Sequence, residues 1–170
     1  SVTSEAHRSV LPLAIAATEP DQIIYHIDPS QSEASYQVDE VLFGSIKGRT
    51  VKGGTSHVDG DLMVDWAEPE RSRLGTVTVD LSTLHSDSAL RDERIRNAYL
   101  ESNRFPLAAF VPDHAALKLP VNPTVGQELR FQLPGLLTVH NITQYVEWGV
   151  TLTVEKERLM GAADLEIQMS

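Results

Sequence analysis

The chain has no cysteine, few aromatic side chains and little positive charge: 14 lysines and arginines stand against 24 aspartates and glutamates, a formal net charge of −10. Without cysteine there are no disulfides, thiolate metal sites or cysteine nucleophiles, although the redox compartment stays open. The acidic balance supplies no overall basic field for phosphate backbones or anionic headgroups, which argues against nucleic-acid binding. Long apolar runs are also lacking. The longest one near the start, residues 10–17, contains Pro12, is too short to span a bilayer and follows no basic cluster of the kind that opens a signal peptide. At 170 residues and 41% hydrophobic, one domain with a sizeable core or a lined cavity is expected.

What the chain does have is alternation with a period of two. Val77, Val79 and Leu81 oppose Thr76, Thr78 and Asp80. Leu129, Phe131 and Leu133 oppose Arg130 and Gln132, and Val146, Trp148, Val150, Leu152 and Val154 oppose Glu147, Thr151 and Thr153. Leu165, Ile167 and Met169 against Asp164, Glu166 and Gln168 suggest a last strand close to the C-terminus. These are strand signals, and one-sided burial of this kind belongs to antiparallel sheets.

Along the chain, residues 1–22, with Pro12 and Pro20, read as an N-terminal spacer or a strap, and residues 23–170 as the folded domain. Early strands are expected near residues 23–27, 35–42 and 51–64, punctuated by Gly44, Gly48, Gly53 and Gly54, and residues 66–73 form a polar loop. After Leu84 the period changes, and residues 87–101 read as one helix that Ser86 or Asp87 can cap. Ser88, Arg91, Ile95, Ala98 and Tyr99 share one of its faces. Arg91 and Asp92 fit either an ion pair that docks the helix on the sheet or a polar contact to a ligand headgroup.

Catalytic patterns are weak. Ser56, His57 and Asp59 lie close together, but strand neighbours point to opposite faces and do not assemble a triad. The six histidines, at 7, 26, 57, 85, 114 and 140, have no metal-ligand spacing. Lys47, Arg49 and Lys52 lie among glycines without the order of a phosphate loop and suit a charged hairpin tip. No catalytic or metal-binding residue is assigned.

Two longer strings are more specific: RDERIRNAYLESNRFPLAAF, residues 91–110, and GLLTVHNITQYVEW, residues 135–148. With their Arg91-Asp92, Phe105-Pro106 and Phe110, and Leu137-Thr138 with Thr143, and with YHIDPSQSEASYQV from residue 25, the chain resembles the YceI-like family of bacterial lipid-binding proteins over most of its length. It departs from the family at the turn, where Asn141 replaces a frequent glycine; asparagine also tolerates positive φ.

The resemblance implies a mainly β fold: an extended antiparallel eight-stranded lipocalin-like barrel with one helix, holding a long amphiphile such as an isoprenoid or isoprenoid quinone. A stretch such as residues 127–141 would reach about 50 Å as a strand, which suits a deep tube. Pro134-Gly135 would then be a bend that helps the sheet curl. The tail-lining candidates are Val79, Leu81, Ile95, Phe105, Phe110, Val139, Val146, Trp148 and Val150, with Arg91, Asp92 and Tyr99 as polar closure. No cofactor is expected other than such a lipid as ligand. The resemblance also implies a periplasmic or extracellular setting, with membrane association only through an anchor outside this sequence, and a homodimer stays open. On the residues alone, a filled core comes before a lined cavity; the resemblance reverses that order. The second reading is a tethered interaction or sensory domain whose barrel is filled.

Overall fold

The computed structural model describes residues 22–41, 48–94, 96–97, 102–114 and 117–166, without the side chains of 36–41, 48–52 and 91. Its strands are β1 (Gln22–His26), β2 (Ala34–Val41), β3 (Gly48–Thr55), β4 (Val58–Asp59), β5 (Asp61–Asp65), β6 (Arg73–Leu74), β7 (Val77–Asp80), β8 (Leu107–Pro112), β9 (Glu128–Val139), β10 (Ile142–Val154) and β11 (Leu159–Asp164). The helix α1 (Ala89–Arg94) lies between β7 and β8. The ladders are antiparallel and form a six-stranded sheet β11-β10-β9-β8-β7-β4, a three-stranded sheet β1-β5-β6 and the hairpin β2-β3.

The two larger sheets are one curled wall. β4 runs through Gly60 into β5, and β6 runs through Gly75 and Thr76 into β7, so the same two stretches of chain pair in both sheets. Between the pairs Asp59↔Thr78 and Leu62↔Leu74, Gly60 and Asp61 face Gly75, Thr76 and Val77. That unequal spacing is a bulge, and a bulge turns a sheet. Among the described residues no ladder joins β11 to β1, and the curled sheet is a half-barrel. The β2-β3 hairpin attaches to it through the bridge Gly54↔His85 and a 2.6 Å hydroxyl contact between Thr55 and Thr83.

The longest ladder joins β9 to β10 in constant register from Ile142↔Val139 to Thr153↔Glu128. His140 and Asn141, at φ 54° and 57°, make the two-residue turn. Positive φ at both positions matches the right-handed twist of the flanking strands. On the outer face beside the turn, the hydroxyls of Thr138 and Thr143 lie 2.7 Å apart, giving the threonines of that string a register-holding role. Inward parity runs unbroken through Leu129, Leu133, Gly135, Leu137 and Val139 on β9, and through Val146, Trp148 and Val154 on β10.

Four sequence expectations are corrected. Pro134-Gly135 is not a bend: β9 passes straight through it. Pro134 turns its backbone toward β8, where its carbonyl accepts from Asp113, and β8 pairs no further than Pro112. The missing proline N–H therefore costs nothing in the ladder. The last strand is Leu159–Asp164 instead of 164–169; Leu165 and Glu166 are not in strand, and 167–170 lie outside the described residues. The expected strand at 51–64 is split, because β3 pairs with β2 whereas β4 and β5 pair elsewhere. Strand 74–81 ends in a 3-10 turn, Leu81–Thr83, and Thr78 is buried with its hydroxyl donating to the Asp59 carbonyl.

The helix begins at Ala89, and residues 95 and 98–101 of the expected 87–101 lie outside the described residues, as do 1–21 of the expected strap.

Candidate functional site

The inward face divides along its length. Toward the β9–β10 turn it is filled: Val79, Leu81, Ala108, Leu137, Val139 and Val146 are buried in one apolar cluster. Toward the other end the walls part around a cleft of about 760 Å³. Its sides are β1 and β5 (Ile24, Leu62), β9 (Phe131, Leu133), β10 (Val150, Leu152) and β11. This volume is within the usual range of small-molecule sites.

Phe110 and Trp148 form the boundary between the two halves. Both belong to the packed cluster and both line the cleft. Their rings meet edge to face, with centroids 6.0 Å apart at 77°, a favoured aromatic geometry. Phe110 lies directly on the backbone of Gly135: a β-carbon there would come within 2.8 Å of the Phe110 ring and closer still to the Val111 carbonyl. Glycine at 135 is thus what lets the aromatic floor sit against β9. Trp148 is 2% exposed, and its indole Nε1 has no hydrogen-bond partner among the described residues.

The cleft's rim is polar. Asp28 folds the β1–β2 loop on itself by accepting from the Ser30 N–H and hydroxyl and from the Gln31 amide at 2.8 Å. The Ser30 hydroxyl, the Ser30 N–H and the Gln31 side chain together lower the Asp28 pKa from its ordinary value. Gln31 in turn accepts from the Arg158 guanidinium at 3.4 Å, across the mouth, and Arg158 is paired with Glu155 in its own hairpin. His26 and Asp61 pair side by side at the ends of β1 and β5, next to this loop.

The candidates from the sequence fall into four places. Phe110, Trp148 and Val150 line the cleft. Val79, Leu81, Val139 and Val146 are in the packed end. Phe105 is half-buried near the β9–β10 turn, with His140 edge-on at 5.5 Å and the Arg104 guanidinium 5.1 Å over its ring. Asp92 is buried at the start of α1, where it accepts from the Ser86 N–H at 2.7 Å and the Ser86 hydroxyl at 2.5 Å. Burial alone would raise its pKa, but the Ser86 hydrogen bonds and the nearby Arg96 and His85 charges outweigh it and the pKa is lowered. Its geometry is that of an anchor between the helix and the segment before it. The side chain of Arg91, and all of Ile95 and Tyr99, lie outside the described residues.

Sequence reasoning missed Ile24, Leu62, Leu74, Leu117 and Met160 as cleft residues. The small residues Gly161, Ala162 and Ala163 on β11 were the available signal, since a wall beside a cavity needs no bulky side chains; Leu152 and the Thr151 carbonyl lie where a Gly161 side chain would go.

The YceI-like domain matches residues 25–170. The chain belongs to the YceI-like family. Two solved structures share its fold. Burkholderia cenocepacia BcnA is 16% identical, with a TM-score of 0.61 over 82% of this chain and 79% of that one. A polyisoprenoid-binding domain from Saccharophagus degradans, implicated in plant cell wall breakdown, is 14% identical, with a TM-score of 0.56 over 76% of this chain and 68% of that one. None of the curated proteins matches the sequence. The YceI-like half-barrel here has a filled end and a hollow end. Among the described residues, no helix of this YceI-like domain is long and apolar enough to cross a membrane.

Proposed function

We propose that this YceI-like domain binds a long apolar chain, an isoprenoid or isoprenoid quinone, in the cleft, and serves to sequester or carry it. The observation that carries the reading is the apolar cleft of about 760 Å³ enclosed by both walls of the half-barrel and floored by Phe110 and Trp148. Family membership and a fold neighbour described as polyisoprenoid-binding support it. Each isoprene unit buried is worth about 3 kcal/mol, so a few units hold firmly. The reading includes closure into the eight-stranded barrel and a periplasmic or extracellular setting. It assigns Phe110, Trp148 and Val150 to the tail, and Val79, Leu81, Val139 and Val146 to the packed end that stops it. Asp92 steadies the helix through its hydrogen bonds from Ser86. The role is binding: Asp59, near Ser56 and His57, uses its carboxylate to accept the Gly60 N–H.

Organic extraction of natively purified protein followed by mass spectrometry tests the proposal. A stoichiometric isoprenoid is expected. An empty extract, together with no uptake after incubation with prenyl lipids, refutes it. That result would favour the second reading, an interaction domain, for which the specific observation is an exposed outer row. Val111, Leu136 and Tyr145 are cross-strand neighbours on β8, β9 and β10, and Tyr145 is 65% exposed.

A further inference from the structure

The inward face of β9 and β10 is continuous, but only part of it borders open space. β9 is 12 residues long, about 40 Å of wall. A bore open along all of it would admit about eight isoprene units, since each unit adds four chain bonds and about 5 Å. The bore is not open along all of it. Leu137, Val139 and Val146 close the end near the turn, together with Val79, Leu81 and Ala108. Phe110 stands at the boundary: it pairs with Leu137 of the packed end, and its ring meets Trp148 on the cleft wall.

From Trp148 the cleft follows β10 past Val150 to Leu152, a rise of about 14 Å. At the mouth Leu159 lines the cleft and pairs with Val154, which takes the apolar path to about 20 Å. Glu157, Arg158 and Asp28 border it there and offer an apolar tail nothing to pack on. Apolar contact therefore lasts for about three to four isoprene units.

Resting on the lipid-binding reading, we infer that the domain is a ruler for short prenyl tails: it grips about four isoprene units between the aromatic floor and the mouth, and Phe110 sets where the tail stops. The consequence is selection against a membrane. A bilayer surrounds every unit of a prenyl chain, whereas the cleft surrounds only those it can reach. Each five-carbon unit left outside the cleft shifts the partition toward the bilayer by on the order of a hundred-fold. Short chains thus gain in step in the two environments, and long ones stay in the bilayer.

The test offers the protein geraniol, farnesol, geranylgeraniol and the prenyl alcohols of five, six and eight units, each in phosphatidylcholine vesicles. The vesicles are sedimented, and the alcohol held by protein in the supernatant is measured by mass spectrometry. The share on the protein is expected to change little up to geranylgeraniol and to fall on the order of ten-fold or more with each unit beyond it. Phe110→Ala removes the ring between the cleft and the packed end and is expected to move the break up by about one unit. Val150→Phe adds a ring on the cleft wall and is expected to move it down by about one. Val150 is half-buried and borders open space, so this variant reports even where Phe110→Ala fails to fold. A share that stays level through six units, or a break that neither variant moves, overturns the ruler while leaving lipid binding in place. Absence of every alcohol from the protein overturns the lipid-binding reading itself, and the ruler with it.

Discussion

Gly135→Ala is the sharpest test of how the aromatic floor is built. The added methyl would stand 2.7 Å from the Phe110 Cζ and 2.8 Å from its Cε1, and closer still to the Val111 carbonyl. Carbon atoms are at ease near 3.5–4.0 Å, so something must move by about 1 Å. The ring has Trp148 beside it, and the carbonyl belongs to β8, which is laddered to β9 at Val111↔Leu136 and Pro112↔Gly135. Overpacking of this kind costs about 1–3 kcal/mol, and loosening a ladder hydrogen bond adds roughly 1 more. For a domain of this size a loss of about 3 kcal/mol lowers Tm by about 6–12 °C. Gly149→Ala is the internal control. Gly149 is on the outer face of the same hairpin, and its nearest neighbours to a new methyl are 3.8 Å away or more. That variant should stay within about 0.5 kcal/mol of wild type or gain slightly from a less flexible unfolded chain. Thermal and urea unfolding of both variants decides the matter. If Gly135→Ala melts with the wild type, or if the two glycines cost the same, steric approach of Phe110 is not what fixes position 135.

Trp148→Phe should cost less than about 1 kcal/mol in urea unfolding, because the lost packing is offset by removal of an unpaired buried N–H, whereas Trp148→Ala should cost about 3–5 kcal/mol. Asp92→Ala should cost about 1–3 kcal/mol at neutral pH by stranding the Ser86 N–H. Because the folded pKa of Asp92 lies below its ordinary 3.8, this contribution is fully present above that value and is lost as pH falls through the lower folded pKa, so the gap between wild type and variant in urea should shrink below pH 3.8.

The central hairpin was legible because its burial is one-sided and its strands are long. Alternation over Leu129 to Leu133 and Val146 to Val154 predicted the inward residues on β9 and β10 correctly, Trp148 among them. Asn141 at positive φ was legible too, from the backbone freedom of asparagine. The edges were not. β4 and β6 are two residues each, too short to show a period, and β11 carries a Gly-Ala-Ala run that looks like neither face. Pro134-Gly135 misled because proline and glycine within a strand usually signal a bend. In this chain the proline sits where β8 ends and the glycine sits where a ring must land. Parity identified the dry face but carried no information on depth, which is why Val79, Leu81, Val139 and Val146 were not separable by sequence from Val150 at the cleft.

The bulge at Gly60 has a bearing on how such a container can be resized. Both walls hang from one short corner of chain, so the angle between them is set by a handful of backbone torsions and not by the ladders themselves. Lengthening or shortening that corner by a residue would swing one wall relative to the other while each keeps its own pairing. The bore of the vessel can thus change in evolution, or by design, without rebuilding the staves.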